Sequence, residues 1–177
     1  MNWAELLTEL QQNLDSEFSP AALAQIKAAP QIFLTGAGRS GLALKSFAMR
    51  LTQLGKSAHV VGETNTPAMN AGDLLIVASS SGETPQLIHL ATIAKEVGGQ
   101  VWLWSTNTQS SLAQEADIVT VLAGKNKFAG TTQVTQQPLG TLFEQSVWLF
   151  GDLFVTHYMD AYQISEAEMQ KRHTNLE

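Results

Sequence analysis

Three groups of residues in this chain have types and spacings that can do chemistry. The first is Gly36-Ala-Gly-Arg-Ser-Gly41, a GxGxxG run between an apolar stretch and a helical pattern. A turn of this kind presents backbone N–H groups at the start of a helix, where an anion is favoured. It fits a dinucleotide, with Glu63 roughly where a ribose-binding acid would lie, and it also fits a tight glycine turn with no ligand. A nicotinamide enzyme would need a second domain or a long insert for its other substrate, and no such insert is visible. The second group is Ser79-Ser-Ser-Gly-Glu-Thr84, at the start of another helical pattern. Here N–H groups and the positive end of the helix dipole meet hydroxyls from Ser79, Ser81 and Thr84, and Gly82 permits close backbone approach. Ser81 or Thr84 alone would suffice to cap the helix; the cluster has the composition of an oxyanion cradle.

The third is Glu144 in Pro138-Leu-Gly-Thr-Leu-Phe-Glu144. With Pro138 at the first helical position, its carboxylate falls within the first two turns. It could be a surface charge favoured by the helix dipole. Its neighbours Leu142, Phe143, Val147 and Trp148 suggest partial burial instead, and a carboxylate drawn out of water suits general-base work. Spacing alone leaves both readings open. His59, His89 and His157 form no pair at ligand spacing, so structural roles are expected for them. With Cys 0, there is no disulfide framework, cysteine zinc site or thiol nucleophile. No metal and no cofactor is expected.

The elements that must position these residues follow from periodicity. Trp3, Leu6, Leu7, Leu10 and Leu14 give an amphipathic helix over 1–14, and Ser19-Pro20 opens a second helix. Strands are predicted at 31–35, 57–61, 73–79, 100–105 and 118–122. Helices are predicted at 40–54, 84–97 and 111–116. This alternation implies an α/β fold, a doubly wound parallel sheet covered on both faces. Residues 123–137 form a polar loop, long enough to suggest function. A long helix is predicted from Pro138 to about residue 162, then a capping box at Ser165-Glu-Ala-Glu168 opens a last short helix. In the long helix Leu142, Trp148, Leu149, Phe150, Leu153, Phe154 and Tyr158 cannot all face one sheet, which predicts a homo-oligomer.

The chain has 177 residues, enough for one domain. Its net charge of −6, without a cluster of Lys and Arg, argues against nucleic acid as a partner. Residues 1–14 lack the basic start of a signal peptide. The most apolar stretch, 139–159, carries Glu144, Asp152 and His157, which argues against a membrane span. A cytoplasmic enzyme or binding module is the class expected.

At the level of motifs the chain resembles the 6-phospho-3-hexuloisomerase family of stand-alone SIS-domain (sugar-isomerase) enzymes. The matching segments are the GxGxxG run, Phe47-Ala-Met-Arg-Leu51, Val61-Gly-Glu-Thr-Asn-Thr-Pro67, Ser79 to Thr84, the segment ending in Glu144, and Lys171-Arg-His-Thr-Asn-Leu-Glu177. The Ser-rich loop is general to SIS domains, whereas Val-Gly-Glu-Thr and Lys-Arg-His-x-Asn-Leu are narrower. Ser80 departs from the pattern, which has glycine there, and 123–137 matches poorly beyond Gly124-Lys125. The resemblance implies a single SIS domain over 1–177, with a five-stranded parallel sheet between helices. Helices at about 1–29 and 138–177 would pack on it or on a neighbouring subunit, and the assembly would be a tetramer.

The implied reaction interconverts a 3-hexulose 6-phosphate and fructose 6-phosphate through a cis-enediol(ate), without a metal. Gly38, Arg39, Ser40, Ser79, Ser80, Ser81, Gly82 and Thr84 would hold the substrate. Glu144 would be the base. Arg39, a loop threonine or His173 would steady the oxyanion, although Arg39 fits a structural salt bridge equally well. His173 would complete the site of an adjacent subunit. Two alternatives remain: an isomerase for another phosphosugar, such as an aldose–ketose pair, and a non-catalytic sugar-phosphate sensor.

Overall fold

The computed structural model of the chain describes residues 1–11, 19–125 and 135–176. Leu14 of the first predicted helix, positions 126–134 of the polar loop and Glu177 lie outside the described residues.

The apolar runs become β1 (Ile32–Gly36), β2 (Ala58–Val60), β3 (Leu74–Ala78), β4 (Gln100–Ser105) and β5 (Ile118–Val121). They pair in parallel, in the order β2-β1-β3-β4-β5. Side chains alternate between the faces, as strand geometry requires. Ile32, Leu34, Leu74, Ile76, Trp102 and Trp104 point to one core, while Phe33, Leu75, Val77, Val101 and Leu103 point to the other. The first core is closed by α2 (Pro20–Ala28), α3 (Gly38–Gln53) and α6 (Thr141–Tyr162). The second is closed by α4 (Pro85–Glu96) and α5 (Ser111–Glu115). The expected doubly wound, five-stranded parallel sheet is therefore present.

Helices α3 and α6 approach closely because Gly151 leaves room for Phe47; a Cβ at Gly151 would lie 3.2 Å from the Phe47 ring. Phe47 meets Trp104 at 5.1 Å and Phe154 edge-on at 5.8 Å between ring centroids. This aromatic layer holds α6 against the sheet. Outside it lie α1 (Trp3–Gln11) and α7 (Glu166–Gln170). The Ser165–Glu168 capping box forms as predicted. Arg172 then donates to the Gln53 carbonyl at 3.2 Å, so the chain is tied down beyond α7.

Two helix starts differ from the sequence reading. α3 begins at Gly38 rather than near residue 40. α6 begins at Thr141 with Gly140 as its N-cap, so Pro138 is not its first residue. The reason is Leu139, whose φ of 53° is left-handed and interrupts a right-handed helix. Pro138 instead closes a turn, its carbonyl accepting from the Thr141 hydroxyl at 2.6 Å.

Phe47→Ala should empty the contact between α3, α6 and β4. The expected loss is about 3–5 kcal/mol of unfolding free energy. Urea unfolding measures it, and an unchanged midpoint would show that this layer does not hold α6.

Candidate functional site

A cleft of about 310 Å³ opens at the carboxyl ends of β1 and β3. These strands are neighbours, yet the chain leaves β1 for one face of the sheet and β3 for the other. The loops that follow them therefore splay apart, the place where open α/β sheets take their ligands. Ala37, Gly38, Arg39 and Ser40 line one wall, and Ser79, Ser80, Ser81 and Thr84 line a second. Gly140, Phe143 and Glu144 close it. The starts of α3, α4 and α6 all face this space.

The glycines of the first motif bring β1 and α3 together backbone to backbone. A Cβ at Gly41 would collide with the Gly36 carbonyl. Glu63 does not reach the cleft; it pairs with Lys45 at 2.7 Å. That bond holds the Glu63 carboxyl below the usual carboxylate range. The placement gives no support to the ribose-acid reading.

The serine loop is held from behind through its carbonyls. The Ser80 carbonyl accepts from Thr106 Oγ1 at 2.8 Å and Ser105 Oγ at 3.1 Å, and the Ser81 carbonyl accepts from Asn107 Nδ2 at 3.2 Å. Leu112 N donates to the Gly82 carbonyl at 3.1 Å. Gly82 has φ +69° and lies against Ser110, so a side chain there would be both strained and blocked. It shapes the loop without itself lining the cleft.

Glu83 is bound by the Ser111 hydroxyl at 2.7 Å and the Ser111 amide at 2.9 Å, bonds that keep its carboxyl below the usual range. The loop's carboxylate is thus occupied outside the cleft. The amides of Ser80, Ser81 and Thr84 have no acceptor among the described residues. Thr84 is the N-cap residue of α4, yet its side chain makes no capping bond. Ser79 Oγ and Ser81 Oγ accept from the amides of Gly82 and Glu83, which leaves their O–H groups available as donors. The Ser80 hydroxyl is turned to the Lys125 carbonyl at 3.1 Å.

Opposite the loop, Glu144 and Arg39 form an ion pair at 2.5 Å, with side chains 18% and 67% exposed. The expected partial burial of the carboxylate is present. On the far side of this pair lies a second hollow of about 290 Å³, lined by Arg39, Leu42, Ala43, Glu144, Gln145 and Trp148.

Gly38, Arg39, Ser40, Ser79, Ser80, Ser81, Thr84 and Glu144 are thus brought together. His173 is not with them. It lines a separate cavity with Arg50, Gln53, Asp152 and Glu166, and its Nδ1 lies 3.0 Å from the Thr174 carbonyl. His59 lies tilted against Phe33, 5.4 Å between ring centroids, and 3.0 Å from Ser57 Oγ, away from the cleft. The sequence reading missed the supports Ser105, Thr106, Asn107 and Ser110. Their signal was a polar run directly after an apolar strand. Among the described residues, no cluster of three or more His, Asp or Glu could hold a metal ion, and no helix is long and apolar enough to cross a membrane.

The SIS-domain family profile matches residues 25–140, and the chain belongs to that family. It is closely related, over nearly its whole length, to 3-hexulose-6-phosphate isomerases. The Bacillus subtilis enzyme of that name is 41% identical over 98% of this chain and 96% of its own. The Methylomonas aminofaciens enzyme is 37% identical over 97% and 94%. A crystal structure of a Methanococcus jannaschii protein, from which a 3-hexulose-6-phosphate isomerase function was inferred, superposes with a TM-score of 0.81 at 30% identity, covering 98% of both chains.

Thr84→Val separates a cradle from a cap. With no capping bond to lose, stability should not change. Inorganic phosphate, titrated by calorimetry, should bind roughly 10- to 100-fold more weakly, as expected for one lost hydroxyl donor to a charged group. Unchanged affinity with a lowered Tm would make this hydroxyl a cap.

Proposed function

We propose that the chain is an isomerase of a phosphoketohexose, interconverting a 3-hexulose 6-phosphate and fructose 6-phosphate. The observation that carries this reading is the shared cleft: unspent amide and hydroxyl donors on one wall, and a half-buried carboxylate on the other. The kinship with 3-hexulose-6-phosphate isomerases supports the choice of substrate.

In this reading the starts of α3 and α4 and the loop Ser79 to Thr84 hold the phosphate, far from the reacting carbons. Glu144 removes the proton from C2. The electron pair flows into the C2–C3 bond, and the C3 carbonyl oxygen takes up negative charge. The resulting cis-enediolate exchanges its hydroxyl proton between O2 and O3. Glu144 then returns a proton to C3, which leaves the carbonyl at C2. One carboxylate on one face serves both transfers. Arg39, paired with Glu144 beside the cleft, would meet the developing oxyanion, where a cation lowers the barrier. It must then exchange Glu144 for substrate oxygen as the site fills.

The active form is an oligomer, by resemblance a tetramer. Trp148 and Leu42, 49% and 61% exposed, form an apolar patch bordering the second hollow beside Glu144. A second copy covering them would exclude water from the proton-transfer step. His173, which lines a different cavity from Glu144 in its own chain, would join the cleft of a neighbour.

Three measurements test this. A coupled assay offering several phosphosugars, with products resolved by NMR, should show 3-hexulose 6-phosphate to be the preferred substrate. Preference for an aldose phosphate would reassign the substrate. Glu144→Gln should keep the fold and phosphate affinity but lose most of kcat, because an amide cannot accept the C2 proton. Near-normal turnover in that variant would remove Glu144 from the chemistry. For assembly, a mixture of chains truncated before Lys171 with Glu144→Gln chains should recover activity through hybrid sites. No recovery in verified mixed oligomers would confine His173 to its own subunit.

A further inference from the structure

The segment that leads into α6 is held by a contact with the N-terminal helix. Glu9 on α1 accepts from Thr135 Oγ1 at 2.6 Å, from the Gln136 amide at 2.8 Å and from Gln137 Nε2 at 3.0 Å. Thr135 and Gln137 are both buried, and Thr135 Oγ1 in turn accepts from the Gln137 amide at 2.9 Å. Buried polar groups of this kind need partners, and Glu9 supplies them. Hydrogen bonding, first from Thr135, keeps the Glu9 carboxyl below the usual range, so the charged form is the one held.

The segment it grips leads directly into the site. Pro138, Leu139 and Gly140 follow, and Glu144 sits in the first turn of α6. Leu139 is held in the left-handed region, a conformation that persists only where its surroundings fix it. Gly140 faces the carboxylate: a Cβ there would lie 3.2 Å from Glu144 Oε1. The Glu144 amide donates to the Gly140 carbonyl at 3.0 Å. A small movement of this turn is therefore passed to the carboxylate. The serine loop, by contrast, is fixed by Ser105, Thr106, Asn107 and Ser111, none of them on α1.

We propose that Glu9 is a positioning residue for Glu144: by holding Thr135, Gln136 and Gln137 it sets where the chain enters α6 and where the carboxylate stands in the cleft. The inference rests on Glu144 being the base. Glu9 lies outside the stretch matched by the SIS profile, so the support comes from this chain's N-terminal helix rather than from the shared domain.

The test uses the full chain with Glu9→Ala, Glu9→Gln, Thr135→Ala and the Glu9→Ala/Thr135→Ala pair, at a temperature where circular dichroism shows each to be folded. Glu9→Ala should lower kcat roughly 10- to 100-fold, the scale of a small misplacement of a catalytic group. Inorganic phosphate should still bind within about twofold of the wild type, since the cradle is independent of α1. Glu9→Gln keeps one acceptor oxygen and should fall between. The double variant should be no worse than Glu9→Ala, because both changes break one unit. Amide hydrogen exchange should quicken at 135–144 and not at 79–84. Wild-type kcat with unchanged exchange in Glu9→Ala would overturn the proposal. Parallel losses of kcat and phosphate affinity would also overturn it, by making Glu9 a general fold contact. If Glu144→Gln itself proves fully active, the base assignment has failed, and the exchange pattern alone decides whether Glu9 positions the turn.

Discussion

The site depends on the pairing of β1 with β3. These two strands lie side by side in register, Gly36 opposite Ala78, and the helices that follow them pack on opposite faces of the sheet. A gap between the two exits is then unavoidable. Both exits point the amino ends of helices toward it, so unpaired N–H groups and positive dipole ends collect in one place. The cleft is a consequence of topology before any side chain contributes to it. Gly36 and Gly41 allow the β1 exit to be tight enough for this, because any side chain at Gly41 would push α3 away from the strand.

That geometry also explains how an acidic chain can present an anion site. The net charge is −6, yet backbone dipoles at helix starts can favour an anion locally whatever the net charge. The loop's acid, Glu83, is occupied by Ser111, and its carbonyls are occupied by Ser105, Thr106 and Asn107. What faces the cleft is donors. Among the described residues the one carboxylate lining it, Glu144, is paired with Arg39. In the proposed reading, phosphate grip and proton transfer fall to different elements, the first to the sheet and its loops, the second to α6.

Much of this was legible in the sequence, for identifiable reasons. Leu-Leu-Ile-Val-Ala at 74–78 reads as a strand buried on both faces, and it is one. The Ser79 to Thr84 cluster exceeded what a helix cap needs, and the missing cap bond at Thr84 agrees with that reading. The start of α6 was misplaced because proline at a first helical turn is a strong local rule, whereas the left-handed turn at Leu139 depends on contacts that no local rule contains. The Glu9 contact with Thr135 spans 126 positions and has no local signature at all. His173 was singled out through its motif. Its cavity, distinct from that of Glu144, could be learned only from the packing of α7 against α3 and α6.

The central claim is that the β1–β3 cleft is where the phosphate binds. It is tested most directly by titrating the ¹⁵N-labelled chain with inorganic phosphate and following amide chemical shifts. The account predicts that the largest changes fall on Ser80, Ser81 and Thr84 and on the first turn of α3, from Gly38 to Ser40. Changes centred instead on the cavity of Arg50, Glu166 and His173, or no saturable change in the cleft, would contradict it.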